Sequence, residues 1–254
     1  MELTDRFWEI DSLRGFAVTM MVAYHFLYDL NFFGVYSFNV NSGFLWYFAR
    51  VTAFIFIFLV GLSLKLSYFR VEMDSSCGER QIFMKYLKRG FKLFSVGILI
   101  TLATWIVIRE DFIVFGVLHF IGTAIILEAL FLKRSCIHLF TGLLFVASGL
   151  YLHQFAFPFS GLLWLGFIPQ GFSTVDYFPI LPWLGVVSLG IFSGGILYKN
   201  YRRRFELPDL SGLYTTRLTC FLGRNSLLIY VVHQPVLIIL LYSMGVLDLG
   251  FLYP

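Results

Sequence analysis

The sequence predicts an all-α, polytopic membrane helix bundle, and three observations carry that prediction. Apolar residues make up 59% of the 254 residues and charged residues 13%, against roughly 45–50% and 25% in ordinary soluble chains. The apolar residues lie in stretches of about 20, the length needed to cross a hydrocarbon core about 30 Å thick as a helix. Lys and Arg, 19 in all, gather in alternate connecting segments, as they do in cytoplasmic loops. Together these give about seven transmembrane helices and one re-entrant or interfacial segment. Such a bundle leaves no room for a soluble domain of about 100 residues, so any chemistry sits among the helices.

The first span covers about 11–33 and ends at Gly34, before an uncharged, turn-forming segment VYSFNVNSG that belongs outside. Span two, about 44–68, carries Arg50 near its outer end. Residues 69–92 hold Arg70, Arg80, Lys85, Lys88, Arg89 and Lys92, an inside loop that leads to span three at about 91–108. A turn at Arg109–Asp111 precedes span four, about 113–132, with His119 near its start. Lys133 and Arg134 mark the next inside turn. Span five, about 137–154, is followed by FPFSGLLWLGFIP, too short to cross and therefore re-entrant or interfacial. Span six opens at DYFPILPW, where first-turn amides lack intrahelical partners and so tolerate Pro179 and Pro182. After Lys199, the run Arg202, Arg203, Arg204 and then Arg217 form a third inside loop before the last span, in which Pro235 should kink the helix beside His233. An odd number of spans puts the amino terminus in the cytoplasm and the carboxyl terminus outside.

The net charge of +4 follows from this inside bias rather than from nucleic-acid binding, since no basic run is interleaved with aromatics in a soluble module. Cys77, Cys136 and Cys220 are odd in number and lack metal-ligand spacing, which indicates neither a disulfide nor a metal site. Glu2, Asp5, Arg6 and Glu9 open the chain where a removable signal peptide would be basic. No internal repeat of the kind found in transporters is present.

The first span also holds the candidate chemistry. At about 100° per residue, Arg14 and His25 return to within roughly 20° of one direction, with Asp11 and Asp29 about 60° away on the same side. Arg14 and His25 are nevertheless separated by about 16 Å of rise, which implies two jobs at two depths. Counted from the outer loops, Asp29, Arg50 and His119 lie roughly 7–9 Å in and His25 and His233 roughly 13–15 Å in, the beginnings of a polar cavity open to the outside. His25 is the candidate general base and Asp29 the group that orients its ring. The plainer alternatives are that Arg14 snorkels, that His25 and Asp29 form a stabilising i, i+4 pair, and that His119 and His233 join helices by hydrogen bonds. Three histidines on separate helices without ligand spacing do not make a metal site. Toward the inner side, Arg14, Arg224 and Asn225, with Lys88 and Arg89, are candidates for holding phosphates.

A family resemblance rests on these same residues. Asp11, Leu13, Arg14, Gly15 and His25 resemble the first-helix signature of the integral-membrane acyltransferase superfamily, and Tyr28 and Asp29 resemble its heparan-alpha-glucosaminide N-acetyltransferase-like branch. FIFIFLVGLSL resembles the second-helix pattern, and FGVLHFIG, DYFPILPWLG and LGRNSLLIYVVHQP resemble later motifs of that branch, in order, over nearly the whole chain. The resemblance implies one domain, 1–254, that moves an acetyl group from cytosolic acetyl-CoA to a sugar across the membrane. The arginines and lysines of the inner side would then bind acetyl-CoA, and Arg50, His119, Asp176, His233 and Gln234 the glycan or glycolipid acceptor. Lysosomal members carry a histidine in the loop after the first helix. Residues 34–43 contain none, which leaves His25 to take that role. The alternative is a transporter or lipid-handling protein that uses the same cavity for passage. The expected setting is the plasma membrane, with lipid as the surrounding partner, no nucleic acid and no metal, and an oligomeric state left open, a homo-oligomer included.

Overall fold

The computed structural model describes residues 6–37, 39, 40, 42–73 and 78–246. The expectations resting on Glu2, Asp5 and Cys77 lie outside them. The described residues form eight α-helices: α1 (Trp8–Phe32), α2 (Gly43–Glu72), α3 (Glu79–Val107), α4 (Val117–Ala129), α5 (Ser135–Leu152), α6 (Ile180–Leu197), α7 (Tyr214–Arg224) and α8 (Ser226–Ser243). Among them there is no strand, only isolated bridges from Phe115 to Tyr177 and from Phe157 to Pro169. Five helices, α2, α3, α5, α6 and α8, are long and apolar enough to cross a bilayer. The chain is thus an integral membrane protein of the helical-bundle class.

Each of the seven expected spans has its helix, but two of these fall outside the group of five. The 25 residues of α1 give it a length of about 37 Å, and its polar stripe lowers its apolarity. α4 has 13 residues, about 20 Å, because the chain before Val117 is extended. There Val175 N–H donates to the Asp111 carbonyl at 3.0 Å and Phe178 N–H to that of Phe115 at 3.0 Å. Two further differences have one cause, amphipathic helices whose charge resembled loop sequence. α3 begins at Glu79 rather than near 91, with Tyr86 and Gly90 on its buried side. α7 stands where a basic loop was expected, burying Thr216, Cys220 and Gly223 one turn apart. The segment after α5 crosses nothing. It is an irregular loop with one 3₁₀ turn, Leu163–Leu165, closed by Phe157 N–H donating to the Ile168 carbonyl at 2.9 Å. Pro235 lies inside α8, and the helix continues through it.

The described residues divide into two compact units, one of those from Ile57 to Glu206, the other of those up to Phe56 together with those from Leu207 onward. In the first unit, α3 packs on α4 and α5 on α6, each pair meeting at glycines. A Cβ on Gly90 would lie 2.6 Å from the Gly122 carbonyl oxygen, and one on Gly185 2.6 Å from that of Gly142. Small residues let membrane helices gain close packing where lipid supplies no hydrophobic drive between them. The α4–α5 turn is tied by buried polar groups. Glu128 accepts from Ser188 Oγ at 2.5 Å and lies 3.0 Å from His138 Nδ1, while His138 Nε2 donates to the Phe131 carbonyl at 3.0 Å. Lys65, 2% exposed, donates to the Leu132 carbonyl at 2.6 Å, its ammonium 5.0 and 4.6 Å above the rings of Tyr68 and Phe69.

In the second unit α1 packs against both α7 and α8. Gly15 and Gly223 sit at the α1–α7 crossing, where a Cβ on either would collide with the other helix's backbone. Ser12 and Thr219 hydroxyls bond across it at 2.7 Å. Leu30 of α1 and Leu241 of α8 centre an apolar cluster with Phe26, Phe33 and Ile238. The polar residues of α1 and α8 lie just beyond that cluster.

Candidate active site

Two helices of the second unit supply the central groups: α1 brings His25 and Asp29, α8 brings His233 and Gln234. Each histidine is held by its own helix. His25 Nδ1 lies 2.8 Å from the Met21 carbonyl and His233 Nδ1 2.6 Å from that of Tyr230. A carbonyl only accepts, so Nδ1 carries the proton in both rings, and in the neutral form the lone pair is on Nε2. The two imidazoles meet edge to face with centroids 4.6 Å apart.

Gln234 Nε2 donates to Asp29 Oδ1 at 2.6 Å, which fixes the amide and turns its oxygen away. Asp29 is 2% and His233 8% exposed. Asp29 Oδ2, Gln234 Oε1 and His233 Nε2 are buried side-chain atoms without a hydrogen-bond partner; among the described residues only His138 Nδ1 shares that condition. All three are acceptors. With His25 Nε2 they make a constellation rich in hydrogen-bond acceptors and able to take a proton, its one remaining donor being the second N–H of the Gln234 amide. Asp29 therefore engages Gln234, and the group that fixes the His25 ring is the Met21 carbonyl.

The arginines toward the start of α1 converge on one carboxylate. Asp11, 5% exposed, lies 3.1 Å from Arg14, 3.3 Å from Arg224 and 3.9 Å from Arg6. Three guanidiniums thus gather around this carboxylate. Asn225 follows at the α7–α8 joint, its amide donating to the Phe221 carbonyl at 2.9 Å. Arg50, also in this unit, has its guanidinium 5.3 Å over the Trp46 ring. The remaining predicted residues belong to the other unit. Lys88 and Arg89 are exposed on α3. His119 lies against the rings of Phe94 and Phe115, with centroids at 5.2 and 5.7 Å. Asp176 accepts from the Val117 N–H at 3.1 Å and so satisfies the start of α4. No group of three or more metal-ligating side chains occurs among the described residues.

A model of the family described as heparan-alpha-glucosaminide N-acetyltransferase, catalytic, matches residues 6–235. The chain belongs to this family. Membership makes it an acyltransferase of the membrane. No curated protein and no solved structure matches it. The matched region of this heparan-alpha-glucosaminide N-acetyltransferase family member takes in α1 and α7 and reaches α8 as far as Pro235, so His25, Asp29, His233 and Gln234 all fall within it.

Sequence reasoning passed over Asp11 as the hub of the arginines, and over Lys65, Glu128 and His138. Lys65 and Glu128 did carry a signal, a charge inside an apolar run, which in a membrane demands a partner. His138 carried none, because its partner lies on another helix.

Proposed function

We propose that the chain transfers an acetyl group from acetyl-CoA to a hydroxyl or amine of a glycan or glycolipid at the outer face of the plasma membrane, with its amino terminus cytoplasmic and its carboxyl terminus outside. The observation that carries this reading is the acceptor-rich constellation of His25, Asp29, His233 and Gln234. An attacking hydroxyl or amine is a hydrogen-bond donor, and buried acceptors without partners favour such a ligand strongly. The phosphates of the donor are anions, and these four groups would repel them. The guanidiniums of Arg6, Arg14 and Arg224, gathered at Asp11, offer forked donors of the kind that suit those phosphates.

The chemistry follows from the tautomer. The attacking group donates its hydrogen to His25 Nε2 while Asp29 Oδ2, Gln234 Oε1 and His233 Nε2 hold its neighbouring donors. As its oxygen or nitrogen bonds to the thioester carbonyl carbon, the proton passes to Nε2, and the Met21 carbonyl keeps its bond to Nδ1–H throughout. The C–S bond then breaks, and the coenzyme thiolate takes the proton from His25 and leaves as the thiol. Arg14, Arg224 and Asn225, with Lys88 and Arg89, hold the donor. Arg50, His119 and Asp176 serve the acceptor, the latter two on the strength of the motifs that contain them.

His25→Ala should lower turnover by roughly 10²–10⁴-fold, the usual scale of general acid–base catalysis, while acetyl-CoA binding persists. The measurement is transfer of radiolabelled acetyl by purified protein in sealed vesicles, with donor on one side only. Turnover equal to that of the unaltered chain removes His25 from the mechanism, and transfer only with donor outside reverses the proposed direction.

A further inference from the structure

The 11 residues of α7 present two faces. At about 100° per residue, Thr216, Cys220 and Gly223 fall within roughly 60° of one another. They are the buried residues of the helix, which packs against α1 and α8. Tyr214, Leu218 and Phe221 fall within a similar arc on the other side and are 80%, 47% and 62% exposed. Arg217 is exposed at about 40° from that arc, so it runs along one edge of the stripe. Among the described residues no carboxylate pairs with it. Arg224 borders the same edge, and 54% of its side chain stays exposed beside Asp11.

Length rules out a crossing by α7, since 11 residues rise about 16 Å against a hydrocarbon core about 30 Å thick. The helix nevertheless stands at the membrane. α8, which is long and apolar enough to span, begins one residue later at Ser226. The Asp11 carboxylate meets the guanidiniums of Arg14 and Arg224 at the α1–α7 crossing, and such a group of charges belongs at headgroup level rather than in hydrocarbon.

We propose that α7 lies in the plane of the membrane, in the leaflet at the amino end of α1, with Tyr214, Leu218 and Phe221 among the acyl chains and Arg217 paired with the phosphate of an anionic phospholipid. An apolar stripe edged by arginine is what an interfacial helix offers a bilayer: the apolar side chains enter the acyl boundary while the guanidinium reaches back to the headgroups. Anionic lipid adds attraction at that edge. The opposite face meets α1 where Gly223 touches the Asp11 backbone, so the leaflet backs the crossing that gathers the arginines. The surface is separate from the His25 constellation and does not depend on it.

The test is electron paramagnetic resonance of the full chain in lipid nanodiscs, with the native cysteines replaced by serine and one nitroxide at Tyr214→Cys, Leu218→Cys or Phe221→Cys. In phosphatidylcholine discs the ratio of oxygen to nickel-chelate collisions should be several-fold higher at all three positions than for the label free in buffer. In discs of equal parts phosphatidylcholine and phosphatidylglycerol the ratio at Phe221→Cys should rise further, and Arg217→Gln should abolish that rise. Thermal unfolding reports which variants are intact, and Tyr214, the most exposed of the three, gives a reading should Leu218→Cys fail to fold. Nickel-chelate access equal to that of the free label overturns the proposal, because the stripe then faces water. Dipolar broadening between labels on two chains also overturns it, because a second copy then covers the stripe. A phosphatidylglycerol effect that is absent, or that survives Arg217→Gln, overturns the pairing of Arg217 with anionic lipid.

Discussion

A neutral imidazole has one nitrogen that gives and one that takes, and backbone carbonyls of α1 and α8 decide which is which for His25 and His233. Gln234 makes a similar decision for Asp29, and replacing its amide exposes what it does. Gln234→Glu would set two carboxylates at the 2.6 Å separation now bridged by a hydrogen bond, an arrangement that repels unless one holds a proton. Acceptor KM should therefore rise several-fold at alkaline pH and recover as pH falls and a proton restores the bond, with donor affinity unchanged. Steady-state kinetics across pH 5–9 read this directly, and a pH-independent KM would contradict it. Cys220 offers a second residue-scale test. Burial, with the Asp11 and Glu9 carboxylates nearby, pushes its thiol up, and the thiolate is the reactive form. In Cys77→Ser protein near neutral pH, a maleimide should label exposed Cys136 and reach Cys220 only after unfolding. Mass spectrometry after timed labelling distinguishes the two. The spacing of His25 and Asp29 was legible because helical period fixes direction from sequence alone. The Asp29–Gln234 bond was not, since it joins positions 205 apart and depends on how two helices meet.

At the scale of elements, the α1–α7 crossing is where packing and chemistry share residues. Gly15 and Gly223 allow the backbones to touch, and that contact holds Arg224 within reach of Asp11. Gly15→Leu should force the helices apart, costing about 1–3 kcal/mol as overpacking does, and lower the thermal unfolding midpoint in detergent. Gly212→Ala should leave it unchanged, because nothing lies within 4 Å of an added Cβ there. Equal midpoints for both variants would remove the crossing from the account. α7 itself was illegible for an instructive reason. Its stripe is made of Thr216, Cys220 and Gly223, small residues that pack closely yet hardly register as apolar, and Arg217 beside them resembled a loop charge. The long spans α2, α5, α6 and α8, and the later part of α3, gave no such difficulty, because lipid demands continuous apolarity from them.

For the whole molecule, alternation of basic loops predicts that Ser37 and Arg203 lie on opposite sides of the bilayer. An impermeant thiol reagent added outside intact cells should label Ser37→Cys and leave Arg203→Cys unlabelled, in a background without other cysteines; the reverse pattern inverts the orientation. The helical class and the approximate number of spans were legible because hydropathy measures what a bilayer requires. The division into two units was not, since it depends on which spans pair. The shortness of α4 has a consequence for the bilayer. Its 13 residues rise about 20 Å where the hydrocarbon slab is about 30 Å thick. The preceding residues are non-helical, and their backbone groups are closed by protein partners, Asp111 with Val175 and Phe115 with Phe178, as polar backbone at membrane depth must be. By itself α4 is thus about a third too short to cross such a slab, and any crossing there is completed by the non-helical residues before it.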